Sequence, residues 1–303
     1  METWVWIPIA IGAALMQAVR TAGQKQMTAS VSTMGASYVR FLFGLPLAVV
    51  YMLALKAGFG LGWPVPTATF FVFAAACAAA QIGGTVLLVY LFSFRNFAVG
   101  TTYARTEALL TALIGTLFFH EIISIAGWVA IAISVAGVVL VTLARTGIAG
   151  ETLLTRLADR PAWIGICSGL GFAMASLCLR TASLSLQQDN WLFAAALTLT
   201  TVLVIQTAVL TVWLAWRERE QFAAIARSWR IACFIGLTSM LGSTGWFTAM
   251  TIERAAYVKA LGQIEFIFTL GISVLFFRER VSAKELVGMS LVAGGIVVLL
   301  VFG

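Results

Sequence analysis

Five ionisable residues, Arg40, Arg105, Glu107, Lys259 and Glu265, sit inside long apolar runs of the chain. Placing such a group at the centre of a bilayer costs about 2.5–3.5 kcal/mol on insertion scales, so it faces a polar cavity or an opposite charge. Helical spacing sorts them. Tyr103, Glu107 and Thr111 recur every four residues and share a face, whereas Arg105, two residues from Glu107, points away from it. Lys259 shares a face with Gln263, and Glu265 with Thr269. Carboxylates and cations turned toward one cavity could exchange protons or hold the charged ends of a polar solute. The same residues could instead lock helices together, with Glu107 and Glu265 paired to Arg40, Arg105 or Lys259. Trp246, Tyr103 and Tyr257 are candidates to line the cavity and stack on a cation or ring. Gln81, Gly83 and Gly84 interrupt one apolar run, and Ser239, Gly242, Ser243 and Thr244 interrupt another; such small residues either let helices approach or open space beside a solute. The candidate contact set is therefore Glu107, Glu265, Arg105, Lys259, Gln263, Tyr103, Arg40, Gln81 and Trp246.

The elements that carry these residues are membrane helices. Of 303 residues, 61% are hydrophobic and only 10% charged, against about 25% charged in soluble domains. There is too little polar surface here to cover a soluble core. A bilayer core about 30 Å thick needs roughly 20 apolar residues in a helix. Ten such runs are readable: Trp4–Val19, Met34–Leu55, Thr69–Phe92, Ala98–Phe119, Ile123–Ala144, Ala162–Leu179, Trp191–Trp213, Trp229–Met250, Ala255–Phe277 and Lys284–Phe302. They lack the alternation of barrel strands, so an all-α integral membrane protein is expected. The N-terminal run has neither a basic leader nor a small-residue cleavage site and reads as the first span. The stretch Trp216–Arg230 sets Phe222, Ile225 and Trp229 on one stripe among arginines, which fits an interfacial amphipathic helix or a solvated basic loop.

Charge bears on orientation. The net charge of +7 comes from basic residues at the ends of the runs, not from patches interleaved with aromatics, so nucleic acid is excluded as a partner and an anionic membrane surface is favoured. Arg20, Lys25, Arg95, Arg145, Arg156, Arg160, Arg217, Arg219, Arg227, Arg230, Arg278, Arg280 and Lys284 fall on one side of the ten runs; Lys56, Arg180 and Arg254 fall on the other. The positive-inside rule then puts both termini outside. Arg20 and Arg180, near run ends, are expected to snorkel toward the interface. Cys77, Cys167, Cys178 and Cys233 are expected to be small buried hydrophobes, with no disulfide and no metal.

The chain also repeats itself. Arg20-Thr21-Ala22 recurs as Arg180-Thr181-Ala182, and Ile82-Gly83-Gly84-Thr85 as Leu241-Gly242-Ser243-Thr244. Glu107 through Glu121 aligns without a gap on Glu265 through Glu279, with Thr111/Thr269, Ile114/Ile272, Leu117/Leu275, Phe118/Phe276 and Phe119/Phe277 identical. Gly137 matches Gly295. Two intramembrane glutamates at one spacing are hard to align by hydrophobic bias alone. The division is 1–150 and 151–303, with five runs in each part, and an odd number inverts the second part relative to the first. Inverted repeats place a solute site near mid-membrane between the two parts of secondary transporters. Within this register Arg105 matches Gln263, so the acid is kept and the cation is not. Glu121 and Glu279, at run ends beside His120 and Arg278, fit capping or interfacial ion pairs.

Tyr38-Val39-Arg40-Phe41, the two Leu-Phe-Phe-x-Glu endings at Glu121 and Glu279, and the ten runs in two sets of five resemble the EamA-type branch of the drug/metabolite transporter superfamily over nearly the whole chain. The resemblance implies a metabolite transporter of the inner (plasma) membrane, often an exporter, with a cavity between the halves. Members commonly keep both termini in the cytoplasm, and the charge bias of this sequence departs from that. The expected protein is a secondary active transporter, working by alternating access on an amino acid, another zwitterion or an organic cation. Its expected partners are membrane lipids, the small-molecule substrate and protons as coupling ion. A flippase for a lipid-linked substrate is the alternative. Enzyme chemistry finds little support: there is a single histidine, no HExxH, GxSxG or phosphate-binding loop, and no call for a cofactor.

Overall fold

The computed structural model describes residues 4–94, 104, 106–146, 160–268 and 282–303. Every element among them is helical: α1 (Trp6–Met27), α2 (Thr33–Leu42), α3 (Leu45–Gly58), α4 (Ala68–Leu91), α5 (Glu107–Phe118), α6 (Ile125–Thr146), α7 (Arg160–Ser185), α8 (Trp191–Arg217), α9 (Glu220–Arg227), α10 (Trp229–Ile252), α11 (Ala255–Leu261) and α12 (Ala283–Phe302), with a 3-10 turn at Gly262–Ile264. Several starts carry side-chain caps that satisfy the first backbone donors: Ser32 accepts from Gly35 N–H at 3.0 Å, and Asn190 from Phe193 N–H at 3.0 Å. Ser282 and Glu285 form a reciprocal capping box at the start of α12.

Seven of the described segments are long and apolar enough to cross a membrane: α2–α3 together, α4, α6, α7, α8, α10 and α12. Their outer faces carry exposed Val50, Val72, Val212 and Val301, a surface that water would not tolerate and lipid does. The polar residues of α1, among them Gln17 and Arg20, keep it from that set, and α5 is shorter but apolar.

Two of the expected runs are interrupted. Met34–Leu55 breaks between α2 and α3, because Pro46 has no N–H to donate and its ring clashes with the preceding turn. Gly44 and Gly236 fit the break: a Cβ on Gly236 would lie 2.3 Å from Phe43 Cβ. Ala255–Phe277 changes from α to 3-10 geometry at Gly262, where a Cβ would come within 2.6 Å of the Trp246 indole.

Three helix pairs pack most extensively, α6 with α12, α4 with α7, and α1 with α10. Small residues permit backbone contact in each. A Cβ on Gly137 would sit 2.6 Å from the Gly288 carbonyl, one on Gly171 3.0 Å from the Ala80 carbonyl, and one on Gly245 2.8 Å from Ala13 Cβ. Helix α9 decides between helix and loop for part of the 216–230 stretch. It is helical, with Ile225 buried and Phe222 edge-on to Tyr38 at 6.1 Å. Its flank holds the start of α2: Gln221 Oε1 accepts from Ser32 N–H at 2.8 Å, and the Ser32 hydroxyl bonds Glu218. Of the cysteines, Cys77 and Cys178 are buried as expected, but Cys167 and Cys233 are exposed on the outside of the bundle.

Candidate functional site

The polar residues of α1, α2, α4, α5, α10 and α11 converge on two adjoining cavities. The first is lined by Gln17, Arg20, Arg40, Gln81, Ser243, Trp246 and Lys259, together with apolar groups of α7. The second shares Gln17, Arg20, Phe172 and Lys259 with it and adds Glu107 and Glu265. Each is a space of about 30 Å³, room for about two waters. The site is contracted in this conformation, far below the roughly 300 Å³ at which metabolite pockets begin.

One polar chain runs through it. The Lys259 ammonium forms an ion pair with Glu107 and lies 5.0 Å from the Trp246 ring centroid, a cation–π contact. Trp246 Nε1–H donates to Gln17 Oε1 at 3.0 Å, and Gln17 Nε2–H donates to Glu265 Oε2 at 2.8 Å. The sequence's alternative of interhelical pairing thus holds for Glu107 and Lys259, which also line the cavity wall. Lys259 and Glu265 lie on either side of the 3-10 turn and line the same cavity.

Arg40 closes the other end. It is 2% exposed, in the last turn of α2 just ahead of the break, where its Nη1–H donates to Thr85 Oγ1 at 3.0 Å and its guanidinium lies 4.9 Å from the Phe41 ring. Gln81 faces the same cavity and accepts from Gln206 Nε2–H at 2.7 Å. Gln263 is buried but lines neither cavity. Tyr103 and Arg105 lie outside the described residues, as do Thr269 and Glu279.

Other expectations are corrected. Arg20 does not snorkel. Helix α1 continues to Met27, eight residues beyond the expected end at Val19, so Arg20 lies inside the bundle at 4% exposure and lines both cavities. Arg180 is turned inward as well: it donates to the carbonyls of Met250, at 2.6 Å, and Glu253, closing the end of α10. Its Nε lies 3.5 Å from Glu121 Oε1, and Glu121 accepts from the Ala255 N–H at 3.1 Å, capping α11. The capping expected of Glu121 is therefore present, but on a helix distant in sequence. Tyr257 lines neither of these two cavities; its hydroxyl accepts from Ser124 N–H at 3.1 Å at the start of α6.

Gln17 was absent from the expected set, although it joins Trp246 to Glu265. Its signal was readable: a lone amide inside an apolar run, three residues before Arg20 and so on the same face.

Comparison with known proteins gives this geometry a family. The profile of the EamA-like transporter family matches residues 4–143 and again residues 161–301. An uncharacterized transporter in the cobO 3' region of a Sinorhizobium species is 24% identical over 133 residues, 44% of this chain and 93% of that protein. A protein of known crystal structure superposes with a TM-score of 0.72 at 14% identity, over 98% of this chain and 99% of the other, which extends the likeness of fold to the whole molecule. The chain belongs to the EamA-like transporter family, within the drug/metabolite transporter superfamily, and is a multi-pass membrane transporter rather than an enzyme.

Proposed function

We propose that the protein is a secondary active transporter that exports a small polar metabolite, such as an amino acid or another zwitterion, across the inner membrane by alternating access. In this reading ten spans form two inverted five-helix repeats, 1–150 and 151–303. Two successive matches to one family profile support that division. The packing supports it too. Exchanging the repeats turns the α1–α10 pair into the α7–α4 pair and leaves α6–α12 paired with itself. Opposite faces of the bundle would then open in turn around a fixed centre.

The observation that carries the reading is the junction itself. Gln17, Arg20, Arg40, Gln81 and Glu107 come from the first repeat, and Ser243, Trp246, Lys259 and Glu265 from the second, around the two adjoining cavities. The contacts Glu107–Lys259 and Gln17–Glu265 both bridge the repeats. Opening on either side would lengthen them, and a polar substrate would replace them. Protons are the coupling ion of this reading, carried by Glu107 and Glu265.

Counterflow in proteoliposomes tests it, with vesicles loaded with amino acids, amines and organic cations and Glu265→Gln run beside the native protein. Saturable exchange that the mutant loses is expected. Undiminished exchange and pH response with both glutamates replaced would sink the site assignment. No exchange of any soluble compound by folded protein, with labelled lipid crossing the bilayer, would move the function to the flippase.

A further inference from the structure

Within that transport reading, the chemistry of the first cavity narrows the substrate. Its described lining holds three cations, Arg20, Arg40 and Lys259, with Gln17, Gln81 and Ser243, and no carboxylate. Arg40 is the informative one. Its Nη1 is satisfied by the Thr85 hydroxyl, a neutral acceptor. Its Nε is fully buried and finds no acceptor among the described residues. A guanidinium withdrawn from water with one N–H unanswered is held at a cost, and burial of a charge is stable only when it is paired or hydrogen-bonded. Lys259 differs, because Glu107 and the Trp246 face already answer its charge.

We propose that Arg40 is the anion-binding residue of the transport site, and that the substrate is a carboxylate-bearing metabolite whose carboxylate is taken by the Arg40 guanidinium beside Gln81. A carboxylate matches the planar fork of a guanidinium with two parallel N–H···O bonds, a geometry that an ammonium or hydroxyl substrate cannot supply. The break between α2 and α3 supports this use. It ends α2 two residues after Arg40 and sets that last turn against α10 through Gly236. A cationic wall at this end also disfavours organic cations, so the substrate classes separate by charge. A substrate amino group, where present, would face Glu107 and Glu265 in the second cavity, where the described carboxylates lie.

The test pairs binding with flux. Purified full-length protein is titrated with phenylalanine, glutamate and succinate, with the matched carboxamides phenylalaninamide and succinamide, and with tetraethylammonium, following thermal stabilisation; the same compounds are run in counterflow. At least one carboxylate is expected to bind roughly 10-fold or more tightly than its amide, the range of a charged hydrogen bond. Arg40→Gln is expected to abolish that discrimination, and Arg40→Lys, which keeps the charge, to retain part of it. Cys233→Ala, exposed on the outside of the bundle and away from both cavities, serves as the control and should leave the preference for the acid. Amides or tetraethylammonium bound as well as acids, or a preference for acids unchanged in Arg40→Lys and Arg40→Gln, would overturn the proposal while leaving transport intact. Acid binding lost in Arg40→Gln but without flux for any compound would overturn the transport reading and keep the anion site. Neither binding nor flux for the whole panel would count against both.

Discussion

The Glu107–Lys259 pair permits a quantitative test of how the site is held. The two side chains are 15% and 13% exposed, so water screens them little. Removing one partner leaves a buried charge without its counter-ion, which costs about 3–5 kcal/mol in comparable buried pairs. Glu107→Gln and Lys259→Met should each fall in that range. Lys259→Met should be the more damaging by about 0.5–2 kcal/mol, because it also removes the contact with Trp246. Replacing both charges removes the desolvation of both, so the double variant should lose only the Trp246 contact. A double-mutant cycle by reversible unfolding in mixed detergent–SDS micelles would then give a coupling of about 6–9 kcal/mol, the two single losses together less the loss in the double variant. Additivity of the two single variants within about 0.5 kcal/mol would refute the argument, because independent sites behave that way. The conclusion would then be that each residue is stabilised by other groups and that the pair does not brace the bundle.

Other expectations are as concrete. Gly262→Ala would drive a methyl into the Trp246 indole, 2.6 Å away, and turn that ring off Lys259 and Gln17; transport should fall by an order of magnitude or more while the protein remains folded by size exclusion. Gly295→Ala would meet Ser134 Oγ at 2.3 Å and the Ala130 carbonyl at 2.8 Å, forcing α6 and α12 apart for a loss of about 1–3 kcal/mol in the same unfolding assay; native stability there would mean the helices are less tightly apposed. Glu121→Gln should cost about 1–2 kcal/mol by weakening the cap on α11 and the contact with Arg180, whereas the same change at the exposed Glu220 should stay within about 0.5 kcal/mol.

Helix type and most helix positions were legible because lipid allows little else: apolar runs of the right length leave only the ends to decide. The ends are where reading failed. Nothing in the composition of residues 20–27 announces that α1 continues through Arg20, Gln24 and Lys25, since Arg20 and Gln24 are buried only by segments elsewhere in the chain. Pro46 was a visible signal of the α2–α3 break, masked by the even hydrophobicity on either side of it. Of the site, Glu107, Lys259, Glu265, Arg40, Gln81 and Trp246 were singled out by type and spacing, and the structure gathers them around two adjoining cavities. What spacing left open was partner choice. Three cations were candidates for Glu107, and Lys259 became the partner through the packing of α5 against α11, a contact between segments about 150 residues apart. Gln263 shows the converse: its shared face with Lys259 presumes a regular α-helix, whereas it lies in the 3-10 turn, buried and lining neither cavity.

The position of α1 has a consequence for how the protein is made. Its Gln17, Arg20 and Gln24 leave it too polar to count among the seven strongly apolar segments, and its main packing partner, α10, begins roughly 200 residues later in the chain. At about 5–20 residues per second, that partner is synthesised some 10–40 seconds after α1 leaves the ribosome. During that interval α1 must wait in the insertion machinery or at the lipid boundary with its polar face unsheltered. The segment that supplies Gln17 and Arg20 is thus poorly suited to enter the bilayer alone. Mutations that make α1 more hydrophobic should ease early insertion while erasing the chemistry the finished bundle needs from it.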